Sequence, residues 1–416
     1  MKQLIVSLVS DQTIPNVQII KEFRTDNTDY LFVVTASMQR KGVVAWITKS
    51  AKISSFQSVV VNEYSIADIT KQLTSCDYSQ YDRLIVNITG GTKIMTLSVY
   101  NSFKNRNEAE IYYVTGLGNT FLDLKNGTTK NFSHTISLEE YLTAYGFSIR
   151  KSQPSGVPFV QTQKIYQKYV SGVFNAHPAE LNFLRAKRNK TIGNADFSKV
   201  SALLVDIDYV PLTQNELSAS ETKYLTGEWF EEYIGESIKK ELSISDGDIL
   251  IGTTIRKNIP SKTEFNPISV LVGLNLEQDK QQDTANEIDV MFIKDNKFHV
   301  IECKTSIIDT RIVYKEKRTE KGKLILDTNG NPINEAAVKD NNILGETIYK
   351  SDALKAKFGL YAKSYIFTLT DFQNYIKQNP NSLNAFVSVL KRASISNIKI
   401  ADRRLLDCQT QISDLL

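Results

Sequence analysis

The sequence is poor in the residues that build disulfide frameworks, zinc sites and histidine-based active sites. Only 3 cysteines and 3 histidines occur among 416 residues, and no two cysteines form a CxxC pair. Cys76, Cys303 and Cys408 lie far apart, which disfavours a disulfide framework or a cysteine zinc site. The few histidines likewise disfavour a Ser/His/Asp triad or a histidine-rich zinc site. We therefore expect a protein of the reducing cytoplasm.

Long apolar runs and a strong excess of one charge are also missing. No stretch approaches the roughly 18 apolar residues that a membrane span needs. The apolar start at Leu4–Val9 runs into Asp11 without a small-residue cleavage site, so we expect a buried strand and no membrane partner. The 50 basic and 46 acidic residues leave a net charge of +4. Any nucleic-acid binding must therefore depend on local patches.

The pattern of apolar segments predicts three sections, at residues 1–148, 149–218 and 219–416. The first alternates short β-rich runs with amphipathic helical runs. This alternation is typical of a parallel, doubly wound α/β sheet, because parallel neighbours need a crossover. The second is predicted to be a connecting segment with one strand at Ser201–Ile207. We therefore expect an α/β protein with two main domains.

The third section begins with a predicted amphipathic helix that Ser220 would cap. Its apolar residues recur at helical spacing from Trp229 onward. At about 100° per residue, this spacing places Glu231 at the buried edge of the helix and Glu232 in water. Glu231 is thus a candidate site carboxylate, although both glutamates could simply be solvated.

The segment Asn286–Ser306 reads NEIDVMFIKDNKFHVIECKTS and predicts a tight β-hairpin. Two β-rich runs flank Asp295-Asn296, a pair that tolerates the positive φ angles of a two-residue turn. With this turn, Asp289 lies directly opposite Glu302, and Lys304 projects from the same face. Directly paired residues have Cβ atoms roughly 5 Å apart.

Two facing carboxylates repel each other and therefore need a positive partner. Mg²⁺ or Mn²⁺ would supply one, because these ions prefer oxygen ligands from one or two carboxylates and waters. Such an ion can activate a water and neutralise the charge of a phosphate, while Lys304 assists from the same face. Alternatively, Asp289 and Glu302 are solvated strand ends, with Lys304 as an ordinary salt-bridge partner.

These residues resemble the PD-(D/E)xK nuclease superfamily, in which a helix Glu is followed by a strand Asp and then by E-x-K. The resemblance assigns these roles to Glu231, Asp289, Glu302 and Lys304. It implies metal binding by Asp289, Glu302 and the main-chain carbonyl of Cys303. It also implies a restriction-endonuclease-like α/β fold that cleaves phosphodiester bonds with Mg²⁺ or Mn²⁺.

A second motif lies in Leu84–Asn101, which reads LIVNITGGTKIMTLSVYN. A buried strand leads through a Thr/Gly turn into a helix, and glycines there let a ligand approach the backbone. The N-terminus of the helix is a natural anion or phosphate site, and the position beyond a parallel strand is typical of ligand sites. The spacing is neither that of a P-loop nor that of a dinucleotide fingerprint. A plain tight turn is the alternative.

Two further polar loops, at residues 10–16 and 35–38, should gather at the same edge of the sheet. This set resembles the CARF domain, the Rossmann-like sensor of type III CRISPR systems, through the pattern from Asn87 to Met95 and the Gln12–Asn16 loop. The resemblance implies that cyclic oligoadenylate is bound. The candidate ligand residues are Ser10, Asp11, Gln12, Thr13, Asn16, Ser37, Met38, Thr89, Gly90, Gly91, Thr92 and Lys93.

A CARF domain followed by a PD-(D/E)xK domain resembles the dimeric CRISPR ancillary nucleases. The resemblance implies a homodimer that binds cyclic tetra-adenylate and then cleaves DNA or RNA. A HEPN ribonuclease is excluded, because no histidine has an arginine four to six residues before it. Two alternatives stay open: a nucleotide-responsive transcription regulator with a degenerate nuclease fold, and a constitutive restriction- or repair-type nuclease.

Basic residues recur in the C-terminal section, where they could be a solvated surface or nucleic-acid contacts. One run lies in a polar insertion at residues 315–342, which also holds the turn signal Asn329-Gly330. Others are Tyr349-Lys350, with Lys355 and Lys357 on the same predicted helix, and Lys391, Arg392, Arg403 and Arg404 near the C-terminus.

Overall fold

A computed structural model describes residues 1–116, 119–152, 155–258, 285–317, 319, 323–327, 332–408 and 411–416. Its contacts divide the chain into two compact units. The first unit comprises Met1–Ile301 and Leu354–Lys363, and the second comprises Glu302–Ala353 and Ser364–Leu416. This division does not test the boundaries at residues 148 and 218, which stay a prediction.

The first unit opens with an α/β layer structure, as the sequence predicted. Its strands are Gln3–Leu8 (β1), Thr28–Thr35 (β2), Gln57–Val61 (β3), Arg83–Asn87 (β4), Ala109–Val114 (β5), Thr120–Asp123 (β6) and Thr128–Asn131 (β7). Its helices are Ile14–Phe23 (α1), Ala36–Arg40 (α2), Val43–Ser50 (α3), Ile66–Thr74 (α4), Lys93–Phe103 (α5) and Leu138–Ala144 (α6).

These strands form one sheet in the order β3-β2-β1-β4-β5-β6-β7. The pairs from β3 to β5 are parallel, whereas β6 and β7 are antiparallel additions. Alternate residues of β1 serve two cores: Leu4, Val6 and Leu8 pack on the side of α4 and α5, and Ile5 packs on the side of α1 and α3. The carboxyl ends of β1, β2 and β4 therefore share one edge, which confirms the predicted gathering of the polar loops.

The following segment is helical, which corrects two sequence predictions. The helices are Phe159–Val170 (α7), Pro178–Ala186 (α8), Asn194–Asp206 (α9), Ala219–Lys223 (α10) and Trp229–Glu241 (α11). The strand predicted at Ser201–Ile207 is wrong, because Val200, Leu203 and Leu204 are buried at helical spacing in α9. The cap of α10 is Ser218 and not Ser220: its hydroxyl accepts from the Glu221 N–H in a capping box.

Four antiparallel strands complete the sheet structure of the first unit. They are Phe147–Ser152 (β8), Ile249–Lys257 (β9), Ala285–Lys294 (β10) and Lys297–Lys304 (β11), of which the last runs on into the second unit. β9 lies between β8 and β10, and β10 pairs with β11. Helix α11 packs on β9 and β10, because Gly235 lets Ile251 and Val290 approach its backbone. Trp229 and Phe230 of α11 are buried core residues.

The second unit combines two strand pairs with helices. Its further elements are Ile308–Glu316 (β12), Asn334–Asn342 (β13), Ile343–Lys357 (α12), Lys363–Thr368 (β14), Phe372–Gln378 (α13), Leu383–Ile395 (α14), Ile398–Ala401 (β15) and Arg403–Cys408 (α15). β12 pairs antiparallel with β13, and β14 parallel with β15. The predicted turn at Asn329-Gly330 lies outside the described residues. Among the described helices, none is long and apolar enough to cross a membrane.

Candidate functional site

Buried asparagines join the ends of β1 and β4 in the first unit. The amide of Asn16 donates to the Leu8 carbonyl (3.0 Å), and the amide of Asn87 donates to Asn16 Oδ1 (2.7 Å). Asn87 Oδ1 in turn accepts from the N–H and the hydroxyl of Thr89 (3.1 and 2.7 Å). Thr89 Oγ1 also accepts from the Val114 N–H (2.8 Å). Asn87, which is not among the candidate ligand residues, thus fixes the shape of the turn that follows β4.

That turn places a glycine pair against the first strand. A Cβ on Gly90 would lie 2.5 Å from the Leu8 carbonyl oxygen, so only glycine fits there. Gly91 has a φ of +76°, and Thr92 caps α5 by accepting from the Met95 N–H (3.2 Å). Gly91, Thr92 and Lys93 are exposed. The structure thus presents a cation and the N-terminus of α5 to solvent beside the loop that follows β1.

The loops after β1 and β2 supply the remaining predicted ligand residues. Ser10 Oγ lies next to Gly90 and accepts from the Gln12 N–H (3.2 Å). Asp11 is exposed and pairs with Lys41 (3.0 Å). Ser37 and Met38 are half-buried in the first turn of α2, which Thr35 caps, and Thr13 is buried. All twelve predicted residues therefore lie at one edge of the sheet, whereas their contact with a ligand stays a prediction.

A segment that is distant in the sequence packs against Gln12. The Gln12 side-chain carbonyl accepts from the N–H of Leu360 (3.0 Å) and from the Tyr145 hydroxyl (3.5 Å). Gly359, at a φ of +88°, passes so close that an added Cβ would lie 1.9 Å from the Tyr145 oxygen. The end of α12 and the loop that follows it therefore pack directly on the predicted ligand loop, within the first unit.

The predicted β10–β11 hairpin is present in the predicted register. Its turn residues Asp295 and Asn296 have φ angles of 51° and 57°, as a two-residue turn of this type requires. Pairing runs from Lys294 with Lys297 to Val290 with Ile301. Asp289 and Glu302 are the next residues along the two strands and belong to different units, so their pairing stays a prediction.

In the first unit, the two predicted acidic residues lie on neighbouring elements. Asp289 is buried in β10 at 6% exposure. Glu231 is half-buried on α11, and its Oε2 lies 3.9 Å from the position of an added Cβ on Gly252 of β9. Glu232 is not in water as predicted: its carboxylate accepts from the Ser155 N–H and hydroxyl (2.8 Å each), and burial raises its pKa.

In the second unit, Glu302 carries a buried charge between two ammonium groups. Its side chain is 4% exposed, and its Oε1 accepts from Lys304 Nζ and from Lys350 Nζ, both at 2.7 Å. Lys304 Nζ also donates to the main-chain carbonyl of Cys303 (3.2 Å). The Lys304 ammonium group therefore contacts both second-unit oxygens to which the resemblance to PD-(D/E)xK nucleases assigns a metal ion.

The charges explain the ionisation state of this carboxylate. Burial by itself would raise the pKa of Glu302, but Lys304 and Lys350 outweigh burial and hold the pKa below its ordinary value. The sequence predicts Lys350 only as a possible nucleic-acid contact, because no local pattern links it to Glu302. Lys350 reaches the carboxylate from α12.

No three His, Cys, Asp or Glu side chains group as at a metal site within the described part of the chain. The predicted set of Asp289, Glu302 and the Cys303 carbonyl holds only two such side chains. A metal role for Glu231, Asp289 and Glu302 therefore stays a prediction.

Comparison with known proteins identifies the N-terminal part. Residues 4–141 match the family described as the Card1 CARF domain. The N-terminal α/β domain is therefore similar to CARF domains. The candidate ligand loops lie within the matched residues. No curated protein matches the chain.

Solved structures share the fold of the chain. Can2 from Sulfobacillus thermosulfidooxidans, solved in complex with cyclic tetra-adenylate, is 19% identical with a TM-score of 0.63, over 99% of this chain and 97% of Can2. VC1899 from Vibrio cholerae is 15% identical with a TM-score of 0.63, over 99% and 96%. A type III CRISPR defence DNA nuclease activated by cyclic oligoadenylate is 13% identical with a TM-score of 0.50, over 88% of this chain and 45% of that nuclease.

Proposed function

We propose that the chain is a metal-dependent nuclease of type III CRISPR defence that cyclic oligoadenylate, most simply cyclic tetra-adenylate, activates as a homodimer. The observation that carries the proposal is the pair of lysines on buried Glu302 in a chain whose N-terminal domain is similar to CARF domains. Can2, which shares the fold over 99% of this chain, was solved with cyclic tetra-adenylate. This likeness supports the choice of activator.

The sheet edge at which the candidate ligand loops gather offers groups that can bind an anionic, cyclic nucleotide. Lys93 and the exposed start of α5 offer a positive charge and helix N–H groups to a phosphate. Gly90 and Gly91 keep the approach to the backbone open. The hydrogen bond between the buried side chains of Asn16 and Asn87 joins the loops that follow β1 and β4.

We infer that the oxygens around Glu302 would bind a divalent cation. The Lys304 ammonium contacts Glu302 Oε1 and the Cys303 carbonyl, so these two oxygens already share one positive charge. With Asp289 they would supply carboxylate and carbonyl oxygens, the donors that Mg²⁺ and Mn²⁺ prefer. When bound, the ion would supply an activated water and charge neutralisation at the phosphate.

The lysines would perform the rest of the chemistry. Lys350 and Lys304 keep Glu302 ionised at neutral pH, since their charges outweigh its burial. Lys304 is 27% and Lys350 46% exposed, so both ammonium groups can reach a phosphate oxygen. There they would stabilise the negative charge that develops during hydrolysis.

Helix α12 offers a route from ligand to lysine. Lys350 belongs to the second unit, whereas the helix end from Leu354 and the loop to Leu360 belong to the first. A ligand that took over the Gln12 carbonyl would break its hydrogen bond to Leu360 and so act on the helix that carries Lys350. Activation of this kind requires that the ligand prefers one of two states.

The test is cleavage of labelled DNA and RNA, single- and double-stranded, with and without cyclic tetra-adenylate and Mn²⁺. We expect cleavage only when both are present, and loss of cleavage on chelation. Inactivity on every substrate with both present would overturn the proposal. Cleavage without the cyclic nucleotide would favour the constitutive nuclease, and ligand binding with retention of specific duplex DNA but no cleavage would favour the transcription regulator.

A further inference from the structure

A groove of about 470 Å³ lies between α12 and α14 in the second unit. Ile348 forms part of its lining and also belongs to the core that the two helices share with Phe386. The groove is therefore built on packed helices and not on a loop. Tyr349, Lys391 and Arg392 also line it.

Tyr349 presents an aromatic ring to this groove. The side chain is 60% exposed, and the Arg392 guanidinium lies 4.3 Å from the ring centroid. An exposed pair of this kind contributes little to stability, so stability alone does not explain why a large ring is exposed to water. A tyrosine ring and an arginine plane are, however, the two surfaces on which unpaired nucleobases stack in proteins.

The charge of the groove favours an anion. Lys391 and Arg392 face a single acidic lining residue, Asp352. Among the described residues, neither basic side chain pairs with a carboxylate. Both therefore have their full charge available to a phosphate.

Two consecutive residues of α12 link the groove to the candidate hydrolytic residues. Tyr349 and Lys350 are consecutive, with Cα atoms about 3.8 Å apart, and their side chains diverge by about 100° on the helix. Lys350 binds Glu302, while Tyr349 enters the groove. A nucleotide in the groove would therefore lie next to the phosphate that Lys350 can reach.

We propose that this groove binds one unpaired nucleotide of a single-stranded nucleic acid, with its base on Tyr349 and its phosphate on Lys391 and Arg392. The inference rests on the proposed nuclease function and adds a binding site for one nucleotide of the substrate. Bases of a duplex are paired and stacked on one another, so they cannot reach the ring. Single strands, or duplexes with an unpaired base, are the expected substrates.

The test measures binding by fluorescence anisotropy with short labelled single-stranded DNA, single-stranded RNA and the matching duplex. Full-length protein is used without activator and without divalent metal. We expect Tyr349→Ala to weaken single-strand binding about fivefold or more, as for the loss of one stacked base, and to leave duplex binding unchanged. Tyr349→Phe should retain wild-type binding, because stacking needs the ring and not the hydroxyl.

The basic residues have a matched control. Lys391→Ala should weaken binding and lower the slope of affinity against salt by about one ion. Lys377→Ala removes the same charge from α13 and should change binding little. Equal losses in both variants would mean that total charge, and not the groove, holds the strand. Wild-type binding by Tyr349→Ala, or an equal loss in Tyr349→Phe, would overturn the stacking site.

A cleavage assay distinguishes failure of the groove proposal from failure of the proposed nuclease function. If activated wild-type protein cleaves nucleic acid and Tyr349→Ala cleaves single strands equally well, the groove proposal fails and the nuclease proposal survives. If wild-type protein neither binds nor cleaves any oligonucleotide, both fail. If the RNA arm alone responds to Tyr349→Ala, the groove belongs to a ribonuclease, and if the DNA arm alone responds, to a deoxyribonuclease.

Discussion

Lys350 Nζ lies 2.7 Å from Glu302 Oε1, although 48 residues separate the two in the sequence. Lys304 holds the same oxygen from two residues away. The two contacts keep a carboxylate ionised at a position that is 4% exposed. A buried charge with two cationic partners at one oxygen is costly to build for stability alone, which favours a functional reason for the arrangement.

The first prediction concerns acid stability. The pKa of Glu302 is lowered in the folded protein, so Glu302 contributes stability above its unfolded pKa, and this contribution is lost as the pH falls through the folded pKa. Lys350→Met removes one of the two cations that oppose the effect of burial. The pKa of Glu302 should therefore rise towards its unfolded value, so the variant should lose less stability on acidification than the wild type, and this loss should be complete at a higher pH.

Thermal unfolding measured at a series of pH values from neutral to acidic checks this. Lys377→Met, an exposed lysine of α13, is the control and should follow the wild-type curve. If Lys350→Met and the wild type lose the same stability over the same acidic pH range, Lys350 does not set the ionisation of Glu302.

Features that depend on local sequence could be predicted, whereas features that depend on tertiary packing could not. The local turn Asp295-Asn296 sets the register of the hairpin, so the register could be predicted from the sequence alone. The position of Lys350 follows from the packing of α12 after a long excursion of the chain, for which no local pattern exists. Ser201–Ile207 was misassigned because its run of consecutive apolar residues resembles a buried strand. Only the burial of Val200, Leu203 and Leu204 reveals the helical period.

The second prediction tests the hydrolytic role of Glu302. Glu302→Gln keeps the shape of the side chain but removes its charge, and the two partly exposed lysines can then turn to water. We expect folded protein with unchanged affinity for cyclic tetra-adenylate by calorimetry, and cleavage reduced by about a hundredfold or more. Near-normal cleavage would remove Glu302 from the mechanism, whereas lost ligand binding would reveal a structural role.

The third prediction concerns the contact between α12 and the ligand loop. Gly359→Ala adds a Cβ that meets the Tyr145 oxygen at 1.9 Å and Gln12 Oε1 at 2.8 Å. The variant should lose roughly 2–4 kcal/mol, from a φ unfavourable to alanine and from overpacking. It should also show a smaller ratio of cleavage with and without cyclic tetra-adenylate.

Gly127→Ala is the control for that variant, because Gly127 has a φ of +65° and no atom within 4 Å of an added Cβ. It should lose only about 1 kcal/mol and activate normally. Denaturant unfolding and cleavage ratios give both readouts. Equal stability losses would show that the packing of Gly359 can relax, and an unchanged activation ratio would separate this contact from the regulation.

The fourth prediction addresses the proposed phosphate-binding edge of the N-terminal α/β domain. Lys93 begins α5 and is exposed beside Gly91 and Thr92, where its charge adds to the partial positive charge of the helix N-terminus. Lys93→Ala should weaken binding of cyclic tetra-adenylate by about tenfold or more, as for the loss of a charge-assisted hydrogen bond. Lys104→Ala, at the far end of the same helix, removes an equal charge and should leave the affinity unchanged, as measured by calorimetry. Because the lysine is exposed, thermal unfolding of both variants should match the wild type. Equal affinities of the Lys93→Ala variant and the wild type would place the ligand elsewhere on the domain.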